Sequence, residues 1–263
     1  MITAERLPGH GMFGSANYIL GHLNLFETGQ MPDVSGITVD FGTSGLYYDP
    51  NCGSNWWTYY FEPIDFGEKE NTQVIYSSNN QSNNAFQQRR KMPKSAAVEI
   101  VKKYIHIKPH IQEKVDAFAA QFFQNNYVIG IHYRGTDKSK EAPKVKYVNV
   151  LKEINKHIPN NIPYVLFIAT DEMEFLELAR SIYSTRVIAI DAHRQAIGSP
   201  GVHFAHKHNY SIGEEALIDA CLLSKCDLLI RTSSNLSLWS TFFNPDLPVI
   251  LLNQRTLTTL EPE

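Results

Sequence analysis

From about Pro109 onward the apolar positions fall into a regular alternation. Short apolar runs at 127–131, 164–169, 186–190, 227–230 and 249–252, bounded by polar and turn residues, predict strands. Between them, apolar residues recur at helical spacing over 111–123, 145–157, 173–182, 214–225 and 235–243. Strands that alternate with helices predict a parallel sheet covered on both faces, so an α/β fold is expected, with a Rossmann-like half from about residue 107 to the end.

Before that point the pattern is less regular. A short segment, 2–7, leads into a glycine-rich turn containing Gly9, Gly11 and Gly14, then a helix over 15–28 stopped by Gly29, and a strand over 36–41. Backbone N–H groups of a turn before a helix face a possible anion, which makes Gly14 a candidate donor-binding position. The spacing fits neither the dinucleotide fingerprint nor the P-loop, and a plain tight turn is the alternative. The aromatic tract Trp56, Trp57, Tyr59, Tyr60 and Phe61 predicts the core of a small domain, with a stacking platform for a sugar or base as the other reading. Residues 71–88 read as a polar loop and 87–91 as a solvated face. Two domains are expected, 1–106 and 107–263.

Composition narrows the partners more than the fold. The 263 residues are 43% hydrophobic and 19% charged, enough for a sizeable core, and the formal net charge of -3 argues against nucleic acid held by bulk electrostatics. Cys52, Cys221 and Cys226 show neither metal spacing nor a disulfide framework, and the last two fit a core helix. No apolar run reaches the roughly 18 residues of a membrane span, and the N-terminus lacks a signal-peptide pattern. A soluble, cytoplasmic protein is expected.

The candidate chemistry gathers at strand ends. The strand ending in His132 runs into Arg134, Gly135, Asp137 and Lys138; a guanidinium there suits a phosphate, and a simple Arg134–Asp137 pair across a turn is the bland alternative. Asp171 follows the next strand, either as the start of a capping box with Glu174 or as a carboxylate holding a ribose hydroxyl or the N–H edge of a base. Ser233, Ser234 and Asn235 open the helix after the strand at 227–230, where hydroxyls serve as caps or as a neutral phosphate seat. Three such sites on one edge favour a nucleoside diphosphate, because crevices outside the carboxyl ends of open parallel sheets are where ligands bind. His193, His203, His206 and His208 read as a loop covering the pocket rather than a metal site. Asp219, within the apolar stretch 216–223, reads as a structural hydrogen-bond former.

Taken in order, these residues resemble the signatures of a known group. The run from His132 to Lys138, then Ala169-Thr170-Asp171, then Ala216-Leu217-Ile218-Asp219 with Thr232-Ser233-Ser234-Asn235 resembles the fucosyltransferase superfamily of α-1,6-fucosyltransferases, nodulation fucosyltransferases and protein O-fucosyltransferases. The resemblance implies a GT-B fold of two facing Rossmann-like domains with parallel sheets, the donor nucleotide in the C-terminal one and the acceptor on the N-terminal side. It implies an inverting glycosyltransferase that needs no metal or other cofactor and takes GDP-fucose as co-substrate, with a glycan or other hydroxyl compound as acceptor. Arg134 would hold the β-phosphate, His132 and Asp171 the guanosine, and Ser233, Ser234 and Asn235 the pyrophosphate region. Glu141 would be the catalytic base with Lys138 as its partner, matching the family's spacing with one residue missing between them.

Two features depart from the group. Gly135 stands where many relatives carry a second arginine, and the N-terminal part is short. The alternatives are therefore another nucleotide sugar, such as UDP-xylose or a rhamnosyl donor, or a nucleotide- or glycan-binding module without transfer. An NAD-dependent enzyme is disfavoured, because no G-x-G-x-x-G turn follows a strand.

Overall fold

The computed structural model describes residues 2–4, 11–43, 45–66, 87, 89–135, 143–197, 199, 201–202 and 209–253. The chain divides into two compact units. The first takes the chain up to Pro109 together with residues leading to Glu214, a return that a single cut at 106/107 does not include; the second takes most of the remainder.

In the first unit, β1 (Ile2–Ala4) pairs in parallel with β2 (Ile37–Val39), and α1 (Met12–Glu27) lies between them in sequence. This helix is buried on nearly every side, with Ala16, Tyr18, Ile19, Leu20 and Leu23 inaccessible to solvent, as a helix apolar all round must be. The aromatic tract is core: Trp57 stacks on Phe61, Trp56 on Phe41, and Tyr60 on Tyr210. A sugar platform is excluded for Trp57, Tyr60 and Phe61, because none is more than 1% exposed. Helix α2 (Lys94–Tyr104) is not anticipated above, although its buried Ala97, Ile100, Val101 and Tyr104 recur at helical spacing. The basic run also needs correction. Gln87, Arg90 and Lys91 are exposed, but Arg89 is buried and donates through Nε to Asn17 Oδ1 at 3.2 Å.

The second unit follows the predicted alternation. Its elements are α3 (Pro109–Phe122), β3 (Tyr127–Tyr133), α4 (Tyr147–His157), β4 (Tyr164–Thr170), α5 (Met173–Tyr183), β5 (Val187–Ile188), α6 (Tyr210–Ser224, from Glu215 onward), β6 (Leu228–Arg231), α7 (Asn235–Phe243) and β7 (Val249–Leu251). All five strands are parallel, in the order β5-β4-β3-β6-β7. Alternate residues of a strand point to opposite faces. Ile129, Ile131 and Tyr133 therefore meet the apolar sides of α4 and α5 through Val150, Ile154, Phe175 and Leu176. The other face is covered by α3, whose Phe118 packs edge-on to Phe167, and by the end of α6.

Gly130 lies on that second face. A Cβ there would sit 2.8 Å from Cys226 Sγ and 3.1 Å from Leu223 Cδ2, so α6 packs closely because this position has no side chain. Gly130→Val is expected to lower stability by about 1–3 kcal/mol through overpacking, measured as a shift of the urea midpoint at unchanged slope.

Candidate active site

The strand order reverses between β3 and β6: the chain builds outward from β3 through β4 to β5, then crosses to the other side of β3 for β6 and β7. Diverging connections leave a crevice outside the carboxyl ends of the two central strands, the usual ligand site of such sheets. His132 and Arg231 are register partners at that edge. Beyond them the ladder closes with Thr232 N–H donating to the His132 carbonyl at 2.9 Å. Arg134 N–H then donates to Thr232 Oγ1 at 3.0 Å. The loops after β3 and β6 are thereby joined where the crevice opens.

Arg134 is oriented from β4. Asp171 Oδ2 lies 3.5 Å from Arg134 Nε, and Asp171 Oδ1 accepts the Gly135 N–H at 3.1 Å. Both carboxylate oxygens thus face the Arg134–Gly135 turn, so Asp171 helps to hold Arg134. Nor is it a helix cap. The N-cap of α5 is Glu172, without a side-chain bond, and Glu174 Oε1 accepts from Ile197 N–H at 3.0 Å. Glu172, assigned no role above, is fully buried, with its carboxylate against Lys144 and Tyr147.

The base of the crevice is positively charged and buried. His132 is buried at the end of β3 with Nδ1 lacking a hydrogen-bond partner. Burial, reinforced by the charges of Arg134 and Arg231, pulls its imidazole down from 6.5 to about 3, so it is neutral near pH 7. Arg231 is buried beside it. Asp219 lies on α6 one turn before Leu223, which covers Gly130. Its Oδ1 is buried with no hydrogen-bond partner, and burial raises its carboxyl to about 7 although Arg194 opposes the shift. An unsatisfied buried acceptor of this kind is costly unless a ligand completes it.

Helix α7 closes the other side. Ser234 is its N-cap, accepting Leu236 N–H through Oγ at 3.3 Å, which leaves the hydroxyl proton for another acceptor. Ser233 N–H is already committed to Asn253 Oδ1 at 2.7 Å, and Asn253 Nδ2 donates to the Pro143 carbonyl at 2.7 Å. Asn253 carried no signal in the sequence, since a lone amide after a strand is unremarkable. Asn235 is the first residue of α7. Gly14 belongs to the first unit, inside α1, and its N–H donates to the Gly11 carbonyl at 2.9 Å. That N–H is therefore not offered to an anion. Lys138 and Glu141 lie outside the described residues, as do His203, His206 and His208. Among the described residues no group of three or more His, Cys, Asp or Glu could hold a metal ion, and no helix is long and apolar enough to cross a membrane.

The histidine provides a test of this electrostatic picture. Its folded value lies below its unfolded one, so between pH 6.5 and about 3 the unfolded chain binds a proton that the folded chain refuses, and stability falls as pH falls through that window. Asp219 works in the opposite sense, so the comparison must be with a variant. Between pH 7 and 5, His132→Asn is expected to lose about 2 kcal/mol less stability than the parent chain, measured by urea denaturation at each pH.

The family model described as "Nodulation protein Z (NodZ)" matches residues 22–256. No curated protein sequence matches significantly. Among solved structures, the chain is similar to fucosyltransferase NodZ from Bradyrhizobium, with 17% identity and a TM-score of 0.61 over 91% of each chain. It is similar to NodZ α-1,6-fucosyltransferase soaked with GDP-fucose, at 16% identity and a TM-score of 0.60, covering 92% of this chain and 91% of that one. A mutant of Arabidopsis thaliana FUT1 in complex with GDP aligns at 13% identity and a TM-score of 0.54, covering 95% of this chain and 69% of that one. The chain belongs to the NodZ family and, with it, to the fucosyltransferase superfamily of GT-B glycosyltransferases.

Proposed function

We propose that this glycosyltransferase transfers fucose from GDP-fucose to a hydroxyl of a glycan or other glycoconjugate, with inversion and without a metal ion. The observation that carries the proposal is Arg134, placed at the reversal of strand order and oriented by Asp171 and the Gly135 turn. A similar structure was soaked with GDP-fucose and another is a complex with GDP, which supports the choice of donor.

The reaction places negative charge on the leaving diphosphate, and a fixed guanidinium is most useful where charge develops. Arg134 takes that role at the β-phosphate. The Ser234 hydroxyl donates to the pyrophosphate while the dipole of α7 faces it, with Ser233 and Asn235 shaping the same turn. His132, neutral and with Nδ1 unpaired, and Asp219, an acceptor without a donor, serve the guanosine. The acceptor hydroxyl loses its proton to Glu141, assisted by Lys138, as its oxygen bonds to the anomeric carbon. The bond from that carbon to the β-phosphate oxygen breaks on the opposite face, and GDP leaves with the electron pair. The N-terminal part, about residues 1–106, supplies the acceptor side. An Asp-x-Asp pair, a common metal-holding motif for a nucleotide sugar, is missing from the sequence, and a cationic clamp supplies the equivalent charge.

Calorimetric titration with GDP and with UDP, each with magnesium and with EDTA, tests the donor. GDP binding indifferent to magnesium is expected; preference for UDP would move the donor to another sugar, and binding of neither would reject the donor site. Arg134→Ala is expected to cost about 2–4 kcal/mol of transition-state stabilisation, measured as the drop in kcat/KM. Glu141→Gln is expected to lose about 10²–10⁴-fold in turnover while its GDP affinity stays unchanged, the split that separates a base from a binding residue.

A further inference from the structure

The second carboxylate after β4 has a role that donor binding leaves unused. The Glu172 side chain is fully buried, an expensive place for a carboxylate unless it is both paired and hydrogen-bonded. It has both kinds of partner: Lys144 Nζ donates to Oε1 at 3.0 Å, and the Tyr147 hydroxyl donates to Oε2. It also lies against the Gly135 backbone. A Cβ built there would fall 2.3 Å from the carboxyl carbon and Oε1 and 2.6 Å from Oε2, so the carboxylate fills the room that any side chain at 135 would need. An arginine at 135 is incompatible with this placement of Glu172. The positive charge beside the carboxylate comes instead from Lys144, on the far side of the same β3–α4 connection.

The geometry points to Lys144 as a positioning residue: with Tyr147 it fixes Glu172 against the Gly135 turn and so holds Arg134 in place for the diphosphate of the donor. The inference rests on the reading of Arg134 as the donor clamp. The mechanical link is short. Glu172 presses on Gly135 from one side, while the adjacent Asp171 takes the Gly135 N–H and flanks Arg134 Nε. Glu172 is also tied at its backbone, donating its N–H to Thr170 Oγ1 at 3.2 Å, so it cannot shift without disturbing the end of β4. Lys144 is 41% exposed on its side chain and contributes little packing, which makes its charge the property to test.

The test compares the full chain with Lys144→Met, Lys144→Arg and Tyr147→Phe; the last keeps the ring contacts with Tyr133 and Phe175. Three quantities are read: GDP affinity by calorimetry, kcat and KM for slow hydrolysis of GDP-fucose (which needs no acceptor), and hydrogen exchange at the Gly135 amide. Lys144→Met is expected to lower kcat about 10- to 100-fold with a smaller change in KM, the pattern of a displaced transition-state contact. Gly135 exchange should accelerate, Lys144→Arg should recover most of the loss, and Tyr147→Phe should move all readings in the same direction by less. Parental kcat and Gly135 exchange in both Lys144→Met and Tyr147→Phe would overturn the inference, as would failure of Lys144→Arg to recover activity. If the parent chain binds no GDP, the donor reading fails separately, and the Gly135 exchange comparison still decides whether Lys144 positions the turn.

Discussion

The site depends on one constraint, the need of a parallel sheet to have both faces covered. Each strand must be followed by a helix that returns the chain to the same starting edge, so every strand delivers its last residues to the opposite edge. With β3 central and the connections diverging to β4 on one side and β6 on the other, Arg134, Asp171 and Thr232 arrive at one place without any of them being near in sequence. Thr232 then binds Arg134 N–H and Asp171 binds Gly135 N–H, so the polar groups released at the strand ends satisfy one another. The chemistry is a by-product of backbone accounting: groups that would otherwise be orphaned at the edge of the sheet hold the cation in position.

The second unit is legible in the sequence because its strands are short apolar runs with turn residues on either side, and tertiary packing there agrees with local pattern. The first unit is less so. Helix α1 is buried all round, which blurs its period, and α2 is hard to read because its apolar stripe is narrow and lysines crowd its end. Arg89 shows the limit most clearly. Nothing in a run of Gln, Arg and Lys indicates that one member will turn inward to an Asn 72 residues earlier.

At the site, residues with strong intrinsic chemistry were readable and those defined by their partners were not. Arg134, His132 and Ser234 announce themselves as cation, imidazole and helix cap. The function of Asp171 depends on which atoms its two oxygens meet, and the capping-box spacing with Glu174 pointed to another arrangement. Asp219 was a carboxylate in an apolar stretch, a pattern shared by satisfied structural residues and waiting acceptors alike. What the fold adds is that Oδ1 is buried without a partner. Gly135 reads in the sequence as a missing arginine, whereas in the fold it is the space that Glu172 fills.

Asn253 carries a consequence for the durability of the site. It follows β7, one of the two edge strands, and its amide clasps the loop after β6 through Ser233 N–H and the approach to α4 through the Pro143 carbonyl. An edge strand with three residues in the ladder is among the first parts of a sheet to open locally. When β7 frays, both of these bonds are released together, and the two loops lose their common tether while the sheet beneath stays intact. The cohesion of the crevice therefore depends on a short edge strand, although that strand supplies no group assigned to the donor.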